Sequence, residues 1–297
     1  MRKILLSLAI AFVMQAGAQN MDSVMFLHNT DNTVDTVLIS SLDSITFGYI
    51  NSFNQGGMGN IILPGNATCD TQYISVTGCG GLTTLVYNGY TYDLVEIGGQ
   101  CWFKENLQTS TYKDGTPINY PGTDNTAWAN DTTGAYAWID NDSTTYDSVY
   151  GKLYNWYAVD NSAGLCPVGW HVPSDAEWTV LESYLEANGY NYDGSTTGNK
   201  YAKAMADIVL WNADTGTGTV GNTDYPTYRN KSGFSGLPGG DRYNGSYYRI
   251  GTNGKWWSST QLYTSSAWSR SLAYSISYMN FDYVDRGVGY SVRCLRD

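Results

Sequence analysis

Only one stretch of this chain has a clear helical pattern, and that limits how much of the fold can be helical. Ser174 and Glu177 stand three residues apart, which is the spacing of a capping box at a helix start. Apolar residues then recur at helical spacing: Trp178, Leu181, Tyr184 and Leu185. Gly189 follows as a residue suited to end the helix in a left-handed conformation. A second, weaker helical pattern covers residues 199–210.

Most of the remaining chain alternates apolar and polar residues and is interrupted by glycine, which is typical of short strands joined by loops. We therefore predict an α+β fold that is loop-rich, with short twisted antiparallel strands, one clear helix and one weaker helix. Long loops need additional anchoring. The 10 Trp and 26 Tyr residues can provide it, because each ring buries area and also forms hydrogen bonds.

The amino terminus has the parts of an export signal. Arg2 and Lys3 precede an apolar run over residues 4–13, and residues 16–18 (Ala-Gly-Ala) are the small residues that signal peptidase accepts. A membrane-spanning helix needs about 20 apolar residues, roughly twice the length of this run. We predict a signal peptide over residues 1–18, cleavage near Ala18, and a secreted protein that is extracellular or on the cell surface.

The mature chain divides by composition into three segments. Residues 19–50 alternate like a small β unit. Three short strands are predicted there: 23–27, 33–39 and 44–47. Residues 51–68 are rich in Gly and Asn and predict a linker. We assign residues 69–297 to the main domain.

The charge of the chain excludes some classes of partner. The formal net charge is -11, and it becomes -13 when Arg2 and Lys3 leave with the signal peptide, because that segment carries no acid. Such an acidic surface repels nucleic acid and anionic membranes. We expect no nucleic-acid partner and no membrane insertion.

Four blocks of sequence carry a likeness to a known family. They are YDLVEIGGQCWFKENLQTSTYKDGTPI (92–118), GKLYNWYAV (151–159), GLCPVGWHVPSDAEWTVLESYL (164–185) and GFSGLPGGDRYNG…GKWWSSTQ…GYSVRCLRD (233–297). In this order they resemble the Fibrobacter succinogenes major paralogous domain, an exported bacterial domain, from about residue 87 to residue 297. The leading HNTDNTVDTVLISSLDSITF stretch resembles the start of many exported proteins of the Bacteroidota.

Two shorter segments suggest a more distant relation. GWHVPSDAEW and LPGGDRYNG…VRC are similar to segments of the formylglycine-generating enzymes, which have a C-type-lectin-like fold. The resemblance implies a compact domain whose first and last strands pair. It also implies that Cys166 and Cys294 come together, and a disulfide between them would contribute roughly 4–5 kcal/mol. Cys69 and Cys79 are close in sequence and are candidates for a second disulfide, of roughly 2.5 kcal/mol, which leaves Cys101 unpaired.

The sequence argues against the chemistry of those enzymes. They need a reactive cysteine pair after the Gly-Gly segment, and residues 239–290 contain no cysteine. His171 is the single histidine of the main domain, and we interpret it as a structural residue before the clear helix. No catalytic residues are predicted. An enzyme of the formylglycine-generating, sulfatase-modifying type or an unrecognised hydrolase is kept as the alternative.

No cofactor is predicted, although one oxygen-rich stretch leaves room for a structural calcium ion. Its residues are Asp140, Asn141, Asp142 and Asp147, which lack the glycine and the final glutamate of an EF-hand loop. No metal ligands are therefore assigned.

The remaining candidates for function are aromatic side chains near the carboxyl end. Exposed rings beside polar residues stack on sugars or anchor protein partners. The candidates for ligand contact are Tyr243, Tyr247, Tyr248, Trp256 and Trp268. We predict a non-catalytic binding or adhesion module with a polysaccharide or a surface protein as its partner. A structural surface protein without a ligand is the second alternative.

Overall fold

The computed structural model describes residues 78–297 in full and, before them, the backbone of three short strands. The strands β1 (Ser7–Leu8), β2 (Val24–His28) and β3 (Val34–Leu38) form one antiparallel sheet in that order. β2 and β3 overlap the first two strands expected in residues 19–50. The expected strand 44–47, the linker 51–68, Cys69 and most of the signal peptide lie outside the described residues. The chain divides into two compact units, 1–67 and 68–297.

Within residues 78–297 the strands form four sheets. The largest has the order β4 (Thr84–Tyr87), β5 (Tyr90–Ile97), β6 (Gln100–Phe103), β15 (Leu295–Arg296) and β9 (Trp170–His171). The next has the order β12 (Asn253–Tyr263), β13 (Ser266–Ala273) and β14 (Asn280–Asp285). Two short antiparallel pairs complete the set: β7 (Tyr136–Ala137) with β8 (Leu153–Tyr154), and β10 (Asp241–Tyr243) with β11 (Ser246–Tyr248).

The last strand does not pair with the first strand of the main domain. β15 lies between β6 and β9, whereas β4 is at the edge of the same sheet. The reason is local, because β4, β5 and β6 follow one another through tight turns and β4 is therefore the outermost strand. The pairing implied by the resemblance is wrong in this respect, and the α+β class is confirmed.

The predicted clear helix is present as α4. The helices are α1 (Asn125–Asn130), α2 (Ser143–Tyr150), α3 (Trp156–Val159), α4 (Asp175–Ala187) and α5 (Ala202–Met205). At the start of α4, Ser174 and Glu177 form the predicted capping box, and Gly189 after its end has φ +73°. No helix among the described residues is long and apolar enough to cross a membrane.

The predicted weaker helix is reduced to the single turn α5. Ala206 has an extended conformation and pairs with Gly236 as in a β-bridge. This pairing takes the place of the hydrogen bonds that a longer helix would form. Leu210, at the expected helix end, has φ +69°, which is incompatible with a right-handed helix. The expectation of a helix over 199–210 is therefore confirmed only for residues 202–205.

Three short helices occur where we expected only β-structure. α1, α2 and α3 begin after Asp124, Asp142 and Asn155, and each of these side chains accepts a hydrogen bond from a backbone N–H of the first turn. Asn and Asp are strong caps, and a cap can start a helix that is too short to show a periodic apolar face. These cap residues are the signal in the sequence from which the three helices could have been predicted.

The core lies on both faces of β6 and β12 because neighbouring residues of a strand point to opposite sides. Phe103 and Trp257 belong to one buried cluster, and Trp102 and Trp256 belong to the other. All four side chains are fully buried. The second cluster also receives the apolar face of α4, so the clear helix seals one side of the domain.

Two disulfides hold the domain, and one of them differs from expectation. Cys166 and Cys294 are bonded, as the resemblance implied. Cys79 is bonded to Cys101, so the expected pair of Cys69 with Cys79 is wrong, and Cys101 is not left over. The cause is the β5–β6 hairpin, in which Glu96 lies opposite Cys101 and accepts the backbone N–H of Cys79 at 3.2 Å. This places Cys79 beside Cys101.

The capping box gives a pH-dependent contribution to stability. Burial alone would raise the pKa of Glu177, but hydrogen bonds from Ser174 and the neighbouring His171 lower it below the usual 4.5. A pKa that is lower in the folded state stabilises the protein above about pH 4.5, and this contribution is lost as the pH falls through the folded value. Because Glu177 is partly exposed, the contribution is below about 1 kcal/mol.

We expect Glu177→Gln to flatten the acid limb of the stability curve, since glutamine keeps the cap but does not titrate. Urea unfolding of both proteins between pH 3 and pH 7 measures the effect. The free energies of unfolding should converge toward pH 3 and separate toward pH 6. Parallel curves would contradict the expected role of the Glu177 carboxyl.

Candidate ligand-binding groove

A tight hairpin builds one side of an open groove. β10 and β11 are joined by Asn244 and Gly245, whose φ values of +49° and +77° are those of a two-residue hairpin turn. Strand alternation places Asp241 and Tyr243 on one face of the hairpin and Arg242 on the other. The face with Asp241 and Tyr243 lines the groove.

The larger part of the groove is a cavity of about 360 Å³ between this hairpin and β14. Its lining residues are Asp241, Tyr243, Arg249, Tyr283, Val284, Asp285, Val288 and Tyr290. Tyr243 and Tyr283 are 45% and 52% exposed, so each ring retains surface that a ligand could cover. Apolar rings therefore lie close to charged groups in one concave surface.

A cluster of charges lies at the floor of this cavity. Arg249 Nη1 and Lys255 Nζ are 3.3 Å and 3.5 Å from the carboxylate of Asp241, which is almost fully buried. Burial raises the pKa of Asp241, against the opposing effect of Lys255 and Arg249. Burial also lowers the pKa of Lys255, against the effect of Asp241. Functional sites often contain groups with shifted pKa values, so these two residues support the cavity as a candidate site.

Arg249 is the member of this cluster that a ligand can reach. Its side chain is 43% exposed, and among the described residues only its Nη1 is engaged, by Asp241. Its φ is +66°, a conformation that costs energy for any residue with a side chain and is concentrated at functional sites. Asp241 thus holds a guanidinium group at the groove with further N–H donors available.

A smaller cavity of about 230 Å³ continues the groove. It is lined by Trp128, Ala129, Tyr243, Asn244, Asp285, Gly287 and Val288. Tyr243, Asp285 and Val288 therefore line both cavities. Trp128 is fixed there because its indole N–H donates to the carbonyl of Gly287 at 2.9 Å.

The predicted ligand residues do not form one site. Tyr243 lines the groove, and Tyr248 is 45% exposed on the neighbouring strand, beside Arg249. Tyr247 points the other way: its hydroxyl donates to Asn141 at 2.9 Å and its ring contacts Arg242. Burial raises the pKa of Tyr247 to about 12, although Arg242 opposes the shift.

Trp256 is a core residue, and its assignment as a ligand contact is wrong. The side chain is fully buried between Phe234 and the backbone of Gly254 and Gly236. Its indole N–H donates to Asn106 at 2.8 Å. Because Trp256 and Trp257 are adjacent on β12, each fills one face of the sheet, and neither ring reaches solvent.

Trp268 lies in an aromatic patch on β12–β14, made of Tyr263, Trp268, Phe281 and Tyr283, and of these four residues Tyr283 also lines the groove. The ring of Tyr283 stands nearly perpendicular to those of Tyr263 and Trp268, at 85° and 84°. These rings pack edge to face on one another and do not share a plane on which a sugar could lie. Tyr263, Trp268 and Phe281 do not line the groove and are therefore weaker candidates for carbohydrate contact than Tyr243 and Tyr283.

Among residues 78–297 the histidine and the cysteines that the enzyme alternatives would use are engaged in other contacts. Both ring nitrogens of His171 are engaged, Nδ1 by Asp297 at 2.6 Å and Nε2 by Glu177 at 2.9 Å. This leaves no ring nitrogen of His171 unpaired for the nearby Ser259, which lines the same small cavity. All four cysteines in residues 78–297 are in disulfides, so none of them is a free thiolate.

The oxygen-rich stretch, considered above for a structural calcium ion, forms local contacts with its side chains. Asp142 caps α2, Asn141 accepts the hydroxyl of Tyr247, and Asp147 pairs with Lys152 at 2.9 Å. Among the described residues, no three His, Cys, Asp or Glu side chains are close enough to hold one metal ion.

Sequence reasoning missed most of the residues that line the groove. Trp128 and Asp285 are distant in sequence from the pair Asp241 and Arg249, and only the fold brings them together. The Asn-Gly pair after Tyr243 was the usable signal, because it predicts a hairpin tip and hence opposite faces for residues 241 and 242.

A comparison with family models matches residues 95–296 to the Fibrobacter succinogenes major domain. A search of curated proteins and a search of solved structures found no match to the chain. The matched region begins in β5 and ends in β15, so it includes the whole groove and the Cys166–Cys294 disulfide. This chain belongs to the Fibrobacter succinogenes major domain family.

Proposed function

We propose that this protein is a secreted, non-catalytic binding module that holds a carbohydrate in the groove between the β10–β11 hairpin and β14. The observation that carries the proposal is the pairing of exposed Tyr243 and Tyr283 rings with Arg249 in one cavity. Sugars present apolar ring faces and hydroxyl groups. Tyrosine rings match the faces, and the donors of a guanidinium group and the oxygens of a carboxylate match the hydroxyls.

Two further features support an extracellular setting. The two disulfides suit an oxidising environment, and the amino-terminal sequence has the form of an export signal. We further propose that the domain is a distant member of the C-type-lectin-like folds. The supports are the similar sequence segments around α4 and β15, and the disulfide that joins them.

The proposal is tested with the full mature chain on a glycan array and in retention assays with insoluble polysaccharides. We expect retention on at least one polysaccharide, and we expect Tyr243→Ala to weaken binding about 30-fold, because truncating a central tyrosine of a binding site costs about 2 kcal/mol. Tyr278→Ala is the matched control: Tyr278 is 44% exposed, against 45% for Tyr243, and does not line the groove.

Each other outcome points to a different function. If nothing is retained and Tyr243→Ala equals the wild type, the carbohydrate proposal fails, leaving a surface-protein ligand or a structural role. If a retained polysaccharide is cleaved during incubation, the module is a hydrolase. Asp241→Asn would then abolish product formation, because Asp241 and Asp285 are the carboxylates of the cavity.

A further inference from the structure

The groove consists of two cavities that share a wall. The larger one, of about 360 Å³, lies between Asp241 and Tyr283, and the smaller one, of about 230 Å³, lies between Trp128 and Asn244. Tyr243, Asp285 and Val288 line both. Pockets for small ligands usually measure about 300–1,000 Å³, so the smaller cavity alone is below that range and fits the role of a subsite next to the larger one.

We infer that the groove binds an internal stretch of a polysaccharide chain, with at least two successive sugar units on either side of Tyr243. This inference rests on the proposed carbohydrate function and adds the form of the ligand. A site for one terminal sugar would need a single cavity closed at its far end. Here the second cavity continues past Tyr243, which is 45% exposed and can contact both units.

The two cavities differ in chemistry, which fits two units held by different contacts. The larger one has the Asp241–Arg249 ion pair. The smaller one has Ala129 and Gly287 with the amide of Asn244, and Asp285 is its single charged lining residue. We expect the larger cavity to fix the orientation of one unit through its hydroxyls, and the smaller one to accept the apolar face of the next.

An extended peptide strand fits the groove less well than a sugar chain. β14 is an end strand of its sheet, and strand addition would need its free backbone groups. The backbone N–H of Tyr283 already donates to the carboxylate of Asp282 at 2.8 Å. Charged side chains on an end strand are a common protection against added strands.

The test is calorimetric titration of the full mature chain with oligosaccharides of one to six units, cut from cellulose, xylan, mannan and chitin. For the polymer that is retained, we expect affinity to rise at least tenfold between one and three units and then to level off.

Ala129→Trp should remove this rise and leave the affinity for the shortest bound oligosaccharide within about twofold. Ala129 is exposed on α1 and lines only the smaller cavity, so a larger side chain there fills that cavity without entering the core.

Tyr283→Ala provides the opposite variant, because Tyr283 lines only the larger cavity. It should weaken binding of every oligosaccharide, short or long. If the protein binds a polysaccharide but one unit binds as tightly as four, or if Ala129→Trp leaves the rise intact, the two-unit groove is wrong and the carbohydrate function stands. If no polysaccharide or oligosaccharide binds, the proposed function fails and the groove inference fails with it.

Discussion

The double variant Cys166→Ala/Cys294→Ala should lose about 5 kcal/mol of unfolding free energy under non-reducing conditions. The disulfide closes a loop with a sequence separation of 128, and the entropy that a cross-link removes from the unfolded chain grows with loop length. A domain of this size is stable by only about 5–15 kcal/mol, so the variant should lose between about a third and all of its stability. Urea unfolding followed by tryptophan fluorescence measures the loss.

The second disulfide is the internal control. Cys79 and Cys101 have a sequence separation of 22, so Cys79→Ala/Cys101→Ala should lose about 3 kcal/mol by the same entropy argument. Cys166, Cys294 and Cys101 are all buried to a similar extent, so loss of packing is similar at these positions. A larger loss for the shorter loop would show that packing around the sulfurs, and not loop length, governs the stabilisation.

Local signals predicted the parts of the fold that local interactions determine. The capping box and the apolar face of α4 are specified within about a dozen residues, and the structure has both. The Cys79–Cys101 disulfide could not be predicted in this way. Cys79 is brought to Cys101 because Glu96, opposite Cys101 in the β5–β6 hairpin, accepts the backbone N–H of Cys79, and the spacing of the cysteines carries no sign of this contact.

For the groove, too, local signals indicated some residues, and others could be found only from the folded structure. Tyr243 was found because it belongs to the aromatic residues that stand beside polar residues near the carboxyl end. Arg249, Asp285 and Trp128 were missed because none of them is unusual in its own segment, and they share a cavity only after folding. Trp256 was misassigned because an aromatic-rich stretch contains both core and surface rings. Strand alternation could not have corrected this, because both faces of β12 are covered at Trp256 and Trp257.

Replacing Trp256 by alanine should cost about 3–5 kcal/mol of unfolding free energy. The ring is fully buried, lies 5.5 Å from that of Phe234 and packs closely on Gly254, where a side-chain carbon would approach it to 2.5 Å. Such a tightly surrounded site cannot collapse to fill the space that the indole leaves. Asn106 would keep a partner, because Arg293 Nε also donates to its side-chain oxygen at 3.1 Å, so the loss is mainly one of packing.

Trp268→Ala is the control, because it removes a tryptophan that lies outside the buried core. Trp268 is half-buried in the aromatic patch and contacts Phe281 and Tyr283, which are themselves exposed, so the surrounding rings can move into the space. We expect a loss of about 1 kcal/mol or less from urea unfolding. Equal losses for the two variants would contradict the placement of Trp256 in the core, and with it the conclusion that the ligand surface is formed by the hairpin rather than by β12.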